Sequence, residues 1–440
     1  MAPTDIITVF EHQSLKVGEH GFTDVHLELL ERFRGDKEDE YFPYYTLIHN
    51  GVKFKHYVGV LNVGGLQIEV LPKTDADSED ASKWRPRLLH MLRTVYRLQA
   101  HSPSNAQQQL KDSPVLDVFL QRFLGEVEAL LHVGLIKTYR KETANRNALK
   151  GKIVWSKHIT KNVVHKERFY VNYTTYDRNH IMNRIIYKTL QVIPEVTRNF
   201  YIASRSKTLA FEFPELLDIN VTDATFATMH FDRKSDGYRD AMQIAKLILL
   251  NYMPDMVHHR NNVLALMFDM NRLWEEYVYV VLRKELKEYN VTAQSSKRFW
   301  EGEGTSIKHI RPDIVISDND GHSQLVIDTK WKCPNENAPS DADLKQMYVY
   351  HKYWSIDHTI LLYPSASKKK PVIGTFHNPS SDTDKKLTCC MVFATIEKEN
   401  NIITEELLKL LWVLWLLDGL ISLYKSNNIN PLQSRRCFMG

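Results

Sequence analysis

Two short apolar segments in the last third of the chain carry charged residues where a buried strand would be expected to have none. The first segment, residues 310–317, contains Asp313, and the second, residues 324–331, contains Asp328 and Lys330. Because side chains alternate between the two faces of a strand, Asp328 and Lys330 project from the same side. If an intervening turn joins the strands as a hairpin, Asp313 reaches that side as well. The spacing therefore predicts two carboxylates and one ammonium group on one face of a sheet.

This combination of groups suits the metal-assisted hydrolysis of a phosphodiester. Magnesium binds through one or two carboxylates and keeps waters and substrate phosphates as its other ligands. The bound cation makes water a better nucleophile, and a nearby lysine can orient or deprotonate that water and offset the developing charge. The alternative is a structural Asp–Lys pair on a half-exposed strand, because such ion pairs are common and contribute little. Spacing alone favours neither interpretation.

The flanking segments supply further polar groups and the elements that would position them. Residues 341–354 predict a helix on which Gln346 and Tyr350 share a face, since residues four apart are neighbours on a helix. Residues 264–289 predict a long helix before the first strand, and this helix could bring Glu275 as a third carboxylate. Two more buried strands are predicted downstream, at residues 358–365 and 389–396. Helix, strand, strand, helix and strand in this order indicate an α/β core.

The upstream part of the chain mixes strands, helices and one basic segment. Asn50-Gly51 predicts a hairpin turn between two strands, and helices are expected at residues 83–99 and 114–139. Residues 137–170 are rich in Lys, Arg and His and poor in acidic residues, a pattern typical of extended arms around a basic tip. A solvated surface hairpin is an equally good interpretation, because charge runs are usually surface.

Composition limits the classes to which the protein can belong. The chain has 440 residues, 43% hydrophobic content, 25% charged content and a net charge of +4, as in an ordinary globular protein whose basic surface must be local. The four cysteines show neither metal-site spacing nor a disulfide framework, and the N-terminus resembles no signal peptide, so we expect a cytoplasmic protein. Lys409 and Asp418 interrupt the apolar segment 407–424, which favours a buried C-terminal helix over a membrane span.

The charged segments also resemble a known signature. Pro312-Asp313 followed by Asp328-Thr329-Lys330 is similar to the PD-(D/E)xK nuclease motif, and Gln346 to Tyr350 matches the QxxxY helix of some of its branches. Blocks between residues 57 and 350 resemble the McrC family, the nuclease subunits of McrBC-type restriction systems: YVGVLNVGGLQIEVLPK, RLLHML, LKGKIVW, YDRNHIMNRIIYKTL, FDMNRLWEEYV, RPDIVI and IDTKWK.

The resemblance implies a two-part fold. A C-terminal PD-(D/E)xK nuclease core, with a mixed central sheet flanked by helices, would follow an N-terminal α+β partner-binding region. We therefore expect a β-rich domain at 1–110, a helical region with a finger-like basic segment at 111–255, and the nuclease domain with its apolar C-terminal helix at 256–440.

The resemblance also implies an activity, a cofactor and partners. The chain would cut double-stranded DNA, modified or foreign, with Mg²⁺ or Mn²⁺. It would dock on a McrB-like hexameric AAA+ GTPase by inserting a finger into its pore, which stimulates GTP hydrolysis. GTP would bind to the partner, since this chain has no GxxxxGK[ST] motif. Its catalytic residues would be Asp313, Asp328 and Lys330, with Glu275 and Gln346 as further candidates; its metal ligands would be Asp313, Asp328 and Glu275; and its partner contacts are predicted at Arg146, Lys150 and Lys152.

Two other functions remain open at this point. The chain could be a non-catalytic adaptor that activates the GTPase and carries a vestigial nuclease domain, although its D…DxK set is intact. It could also be a stand-alone nuclease of the repair type, whose basic segment contacts DNA phosphates directly.

Overall fold

The computed structural model describes residues 6–35, 41–64, 66–73, 80–96, 115–254, 262–302, 306–332, 334, 338–365, 369–377 and 387–396. The predicted apolar helix at 407–424 lies outside the described residues. Among the helices within those ranges, none is both long enough and apolar enough to cross a membrane.

Helices and strands alternate along the chain. The helices are α1 (Asp24–Arg34), α2 (Ala81–Val95), α3 (Val115–Val133), α4 (Trp155–Lys161), α5 (Ile181–Val196), α6 (Phe200–Phe211), α7 (Asp223–Ala227), α8 (Arg239–Leu250), α9 (Met270–Glu285) and α10 (Asp341–Trp354). The strands are β1 (Ile7–Phe10), β2 (Ser14–Lys16), β3 (Tyr45–Ile48), β4 (Gly51–Phe54), β5 (Tyr57–Val63), β6 (Leu66–Leu71), β7 (Thr138–Arg146), β8 (Lys152–Ile153), β9 (Phe169–Asp177), β10 (Tyr252–Met253), β11 (Val263–Asp269), β12 (Asn290–Ala293), β13 (Lys297–Trp300), β14 (Lys308–Ile310), β15 (Ile314–Ser317), β16 (Ser323–Thr329), β17 (His358–Ser365), β18 (Val372–Thr375) and β19 (Thr388–Thr395).

The chain divides into two compact units, one formed by Met1–Val70 with Leu98–Met267 and the other by Leu71–Arg97 with Phe268–Gly440. The predicted boundaries at 110 and 255 do not coincide with this division, because α2 packs against α9 and so joins the second unit. The threefold division of the chain stays a prediction about its domains.

The first unit contains three sheets, with the strand orders β1-β6-β5-β11-β10, β2-β4-β3 and β7-β9-β8. The predicted Asn50-Gly51 turn is confirmed: Ile48 pairs with Gly51, and Asn50 has a φ of +55°. The first two sheets share one apolar core with helix α1, to which Leu15, Leu30 and Ile68 contribute.

The predicted basic segment forms a long antiparallel hairpin, which we call the basic hairpin (residues 138–177). Strands β7 and β9 pair from Thr138 and Asp177 to Arg146 and Phe169, so the prediction of extended arms is confirmed. Strand β8 and helix α4 lie between these arms in the sequence, and β8 pairs with the outer edge of β9. Arg146 and Lys150 both lie over the ring of Tyr173, 4.5 and 5.1 Å from its centroid, and Lys152 is exposed on β8.

Two predicted helices have different bounds in the structure. The helix expected at 114–139 ends at Val133, because Gly134 adopts a φ of +98° and its N–H bonds to the carbonyl of Leu130. The helix expected from residue 264 begins at Met270 instead. Residues 263–269 form the buried strand β11, and the Asp269 side chain caps α9 by accepting hydrogen bonds from the next N–H groups. A short apolar run has no period that separates a buried strand from a buried helix.

The second unit is built on a six-stranded sheet with the order β12-β15-β16-β17-β19-β18. Strands β12, β15 and β16 are antiparallel neighbours, whereas β16, β17 and β19 are parallel. Helix α9 contacts β12 and β16, and helix α10 contacts β16 and β17. One face of the sheet buries Val315 and Val326 against Met347 and Tyr350 of α10. The predicted mixed α/β architecture is confirmed at this level.

Candidate active site

The hairpin of β15 and β16 brings the first two predicted site residues together. Ile314 pairs with Ile327, so Asp313 stands one residue before β15, close to Asp328 near the end of β16. Asp313 Oδ2 accepts hydrogen bonds from the backbone N–H of Thr329 at 2.6 Å and from its hydroxyl at 2.8 Å. The residue between Asp328 and Lys330 therefore fixes the orientation of the Asp313 carboxylate.

Lys330 follows directly after β16 and lies at the centre of a polar cluster. Its backbone N–H donates to the carbonyl of Leu362 on β17 at 2.9 Å, which extends the parallel pairing by one residue. Its Nζ lies 2.6 Å from Asp328 Oδ2 and 3.6 Å from Asp343 Oδ1, and it donates to Gln346 Oε1 at 3.2 Å. The ammonium group is thus shared by two carboxylates and an amide.

Helix α10 supplies the opposite wall of this cluster, over the residues predicted for it. Ser340 caps the helix by accepting the N–H of Asp343 at 3.2 Å. Gln346 Nε2 contacts Asp328 Oδ1 at 3.2 Å and the Tyr350 hydroxyl at 2.7 Å, and that hydroxyl donates to the Arg311 carbonyl at 3.0 Å. Gln346 therefore contacts both members of the Asp328–Lys330 pair with the two ends of its amide.

Glu275, the remaining predicted carboxylate, projects from α9 into the same open cavity of about 1110 Å³ that Asp313, Asp328, Lys330 and Gln346 line. Its side chain accepts a hydrogen bond from Gln294, the residue that follows β12. The cavity is lined by six acidic and four basic side chains: Asp269, Glu275, Glu276, Asp313, Asp328 and Asp343, with Arg272, Arg311, Lys330 and Lys332. The excess of negative charge favours cation binding.

The electrostatics of the site concentrate on Asp328, whose side chain is almost fully buried. Burial raises the pKa of Asp328 to about 6, the neighbouring Asp313 charge adds to this rise, and Lys330 opposes it. Burial by itself would lower the pKa of Lys330, but Asp328 and Asp343 outweigh it, and the pKa lies above its usual value. Burial also raises the pKa of Glu275, with a smaller contribution from Asp313. The carboxylates of Asp328 and Glu275 thus lack the solvation that their charge requires, and a bound cation would supply the missing stabilisation.

The donor set fits a hard divalent cation. Asp328 Oδ2 is buried, and its close neighbour is the Lys330 ammonium at 2.6 Å. A carboxylate has about four lone-pair sites, so Asp328 can still bind a cation beside this ion pair. Oxygen ligands of this kind suit Mg²⁺ and Mn²⁺.

A second carboxylate cluster lies in the turn between β15 and β16. In the part of the chain that the structure describes, Asp318, Asp320 and His322 form the group of three metal-ligating side chains whose ligand atoms lie within 4.8 Å of one another. Asp318 Oδ1 accepts the N–H groups of Asp320 and His322, so hydrogen bonds of the turn account for this arrangement. Glu275, Asp313 and Asp328 are a more open set, and a cation there would keep water ligands, as Mg²⁺ commonly does.

Sequence reasoning missed several residues of the site. Asp343 precedes Gln346 by three residues and Tyr350 by seven, so one helical face carries all three, and this spacing was a usable signal. Lys332, which donates to Asp343 Oδ2 at 2.7 Å, follows the motif directly. Gln294 gave no signal, because it comes to the site through a left-handed backbone conformation after β12.

Comparison with known proteins places the chain in a family. A family model described as the McrBC 5-methylcytosine restriction system component matches residues 52–364, well over half of the 440 residues. No curated protein sequence is similar enough to count as a match.

Two similar solved structures come from Thermococcus gammatolerans. One is the refined half-complex from a tetradecameric assembly of McrB AAA+ hexamers with bound McrC; its matching chain has 20% sequence identity and a TM-score of 0.64, over 90% of this chain and 96% of that one. The other is a cryo-EM structure of the McrBC complex, with 21% identity and a TM-score of 0.48, over 65% of this chain and 89% of that one. The first likeness agrees with the family match in fold. The chain belongs to the family of McrBC 5-methylcytosine restriction system components.

Proposed function

We propose that this chain is the DNA-cleaving subunit of a GTP-dependent restriction system and hydrolyses phosphodiesters with Mg²⁺ or Mn²⁺. The observation that carries the proposal is the convergence of Asp313, Asp328, Lys330 and Gln346 on one cavity. A structural ion pair alone would not need a second carboxylate, Asp313, whose charge raises the pKa of the buried Asp328. We interpret the six-stranded sheet with α9 and α10 as a PD-(D/E)xK core on the same grounds.

The residues divide the chemistry between them. Asp313 and Asp328 would hold the cation, with Glu275 across the cavity as the third carboxylate. Bound Mg²⁺ would polarise the phosphate and make the attacking water more acidic. Thr329 keeps Asp313 in its orientation through two hydrogen bonds, and Gln346 keeps Asp328 in its own. The carboxylates are therefore positioned by the chain before any ligand arrives.

Lys330 fits the role of a charged donor better than that of a base. Its raised pKa keeps the ammonium protonated near neutral pH. A protonated lysine at this position can donate hydrogen bonds to phosphate oxygens and offset the negative charge that develops on them. Of the two roles that the sequence allowed for Lys330, the geometry supports orientation and charge compensation.

The family suggests the partners. In the Thermococcus gammatolerans assembly, McrC is bound to McrB AAA+ hexamers. We propose that this chain docks on a hexameric GTPase of that kind in the cytoplasm, with GTP bound to the partner, and cuts double-stranded DNA that is foreign or modified. The basic hairpin would make the contact through Arg146, Lys150 and Lys152. Its exposed apolar side chains add to that surface: Leu149, Trp155, Ile159, Val163 and Val164.

Substitution of the buried carboxylate and of the lysine tests the nuclease. In the full-length chain assembled with its GTPase partner, Asp328→Asn and Lys330→Ala should each lower DNA cleavage by at least about a hundredfold. The first weakens a ligand of the proposed cation, and the second removes the ammonium group that would offset charge on the phosphate. Asp328→Asn should also weaken Mn²⁺ binding, measured by calorimetry, by more than about tenfold. Both variants should bind the partner and stimulate its GTPase as the wild type does.

The matched control is Asp320→Asn, which removes an exposed carboxylate from the turn between β15 and β16 and should cleave normally. Full cleavage by Asp328→Asn would exclude the nuclease assignment. If the wild type stimulates the GTPase but neither cleaves DNA nor binds Mn²⁺, the adaptor function is the correct one.

A further inference from the structure

A two-stranded ribbon is inserted between two strands that border the candidate active site. Within the described residues, strands β13 and β14 pair only with each other and are separate from the six-stranded sheet. Gln294 precedes the ribbon and Arg311 follows it, and both residues line the cavity. The Gln294 N–H donates to the Asp313 carbonyl at 2.8 Å, so the base of the ribbon is hydrogen-bonded to the site itself.

One face of the ribbon is fastened to the end of α10. Lys297 Nζ donates to the Tyr353 carbonyl at 2.6 Å and lies 4.8 Å from the ring centroid of Trp354. The rings of Phe299 and Tyr353 lie 5.7 Å apart. The ribbon is therefore held at its base and along one face, and the helix that holds it also carries Gln346.

The exposed side chains of the ribbon are mostly basic. Arg298 pairs with His309 across the two strands, on the face that does not carry Lys297. The register shifts between Arg298 and Trp300, so Trp300 pairs with Lys308, which projects from the opposite face to His309. All four side chains are exposed. Within the described residues, the Arg298 and Lys308 side chains have no ion-pair partner, so neither charge is used to stabilise the fold.

We propose that this ribbon is a DNA-contacting element, which binds the phosphates of a duplex and holds it over the cavity. The inference rests on the proposed nuclease function and names the surface that its substrate uses. Unpaired cations bind the phosphate backbone without regard to sequence and fix the register of the duplex. A two-stranded ribbon also has the width that the major groove of B-DNA admits. Because its base is bonded to Asp313, the bound duplex has a fixed position relative to the carboxylates.

Charge reversal at the two exposed cations tests the proposal. The double variant Arg298→Glu with Lys308→Glu leaves the contacts of Lys297 and Phe299 with α10 and the site residues unchanged. Binding of the full-length chain to a fluorescent duplex of about 30 base pairs would be followed by anisotropy in EDTA over a range of salt concentrations. Loss of two phosphate contacts should reduce the slope of log K against log salt by about 1.8 and weaken binding at least about tenfold.

Two further proteins make the result specific. The control is Lys207→Glu with Arg233→Glu, which makes the same change in net charge at exposed positions of the first unit and should bind DNA like the wild type. Asp328→Asn should also retain DNA binding, because it alters the site and leaves the ribbon unchanged.

The outcomes separate this inference from the proposed function. Unchanged affinity and salt slope in the ribbon variant would overturn the inference, while loss of cleavage by Asp328→Asn would leave the nuclease standing. The inference also fails if the wild type does not bind the duplex at low salt. If the ribbon variant binds DNA normally but no longer associates with the GTPase, the surface contacts protein and the inference is wrong. An equal loss in the control pair would show that only net charge matters, which overturns it as well.

Discussion

At the scale of single residues, the Lys330 ammonium group lies between the carboxylates of Asp328 and Asp343. Lys330 Nζ lies 2.6 Å from Asp328 and 3.6 Å from Asp343, and Asp343 is held in turn by Lys332. If a cation binds Asp328 as proposed, the ammonium group would lose part of the attraction of that carboxylate. Asp343 and Gln346 would then keep it in place. We therefore propose Asp343 as a positioning residue for Lys330.

The substitution Asp343→Asn tests this role. It removes the second negative charge on Lys330 but keeps a side chain of the same size, and we expect cleavage to fall about 10- to 100-fold, as for outer partners of metal sites. Mn²⁺ binding, measured separately, should change much less, because Asp343 is not among the expected ligands. Asp341→Asn, an exposed acid in the same helical turn, is the control and should cleave normally. A normal cleavage rate for Asp343→Asn would show that Gln346 and Asp328 are sufficient to position the lysine.

At the scale of elements, the central sheet of the first unit depends on a close approach of two strands. Gly59 on β5 has a φ of +136°, and a Cβ atom there would lie 2.1 Å from the carbonyl oxygen of Leu266 on β11. A side chain at this position is excluded both by the backbone conformation and by the space. Strand β11 can therefore pair with β5 only if residue 59 is a glycine.

Gly59→Ala should destabilise the protein by at least about 2 kcal/mol, because it combines a strained backbone with a contact against main-chain atoms. Chemical denaturation followed by circular dichroism measures the change. Gly125→Ala in the interior of α3 is the matched control, since no atom lies within 4 Å of its Cβ position. That substitution should stabilise the helix by about 0.5–1 kcal/mol. Similar stabilities for the two variants would mean that β5 and β11 can separate without cost.

The elements differ in how well the sequence predicts them, for physical reasons. Helix α10 has the predicted bounds because Ser340 caps it and polar and apolar residues alternate with the helical period. The predicted start of α9 was wrong because residues 263–269 are apolar and show no helical or strand periodicity. Only their pairing with β5 and β10 makes them a strand. Caps and periodicity predict local structure. Whether an apolar run joins a sheet depends on pairing with strands that are distant in the sequence.

At the scale of the whole molecule, the same distinction applies to the candidate site. Asp313, Asp328 and Lys330 were predicted because one hairpin joins them, and alternation along its strands is a local rule. Gln346 is also predicted, because it shares a helical face with Tyr350, and the same spacing applies to Asp343. Gln294 and the ribbon come from a connection between β12 and β15. No rule of spacing predicts that approach, since it depends on which strands become neighbours.

The basic hairpin and the candidate active site belong to different units of the chain, so their functions should be separable. The double variant Lys152→Glu with Trp155→Ser changes two exposed side chains near the tip of the hairpin, one basic and one apolar. The Trp155 side chain is 64% exposed. We expect this variant to lose at least about tenfold of its affinity for the GTPase partner, because exposed aromatic and basic side chains dominate such contacts. GTPase stimulation should fall with it, whereas Mn²⁺ binding should equal that of the wild type and so report that the fold is intact. Asp328→Asn should show the opposite pattern.

The matched control is Tyr201→Ser with Lys207→Glu, which makes the same kinds of change on exposed positions of α6 in the same unit. It should stimulate the GTPase normally, because the proposed contact surface is the hairpin rather than the unit as a whole. Titration of each variant into the partner at constant GTP measures both affinity and maximal stimulation. If the hairpin variant stimulates as well as this control, the exposed cations and apolar groups of residues 138–177 are not the docking surface. A loss confined to maximal stimulation would assign the hairpin to activating the GTPase after docking elsewhere.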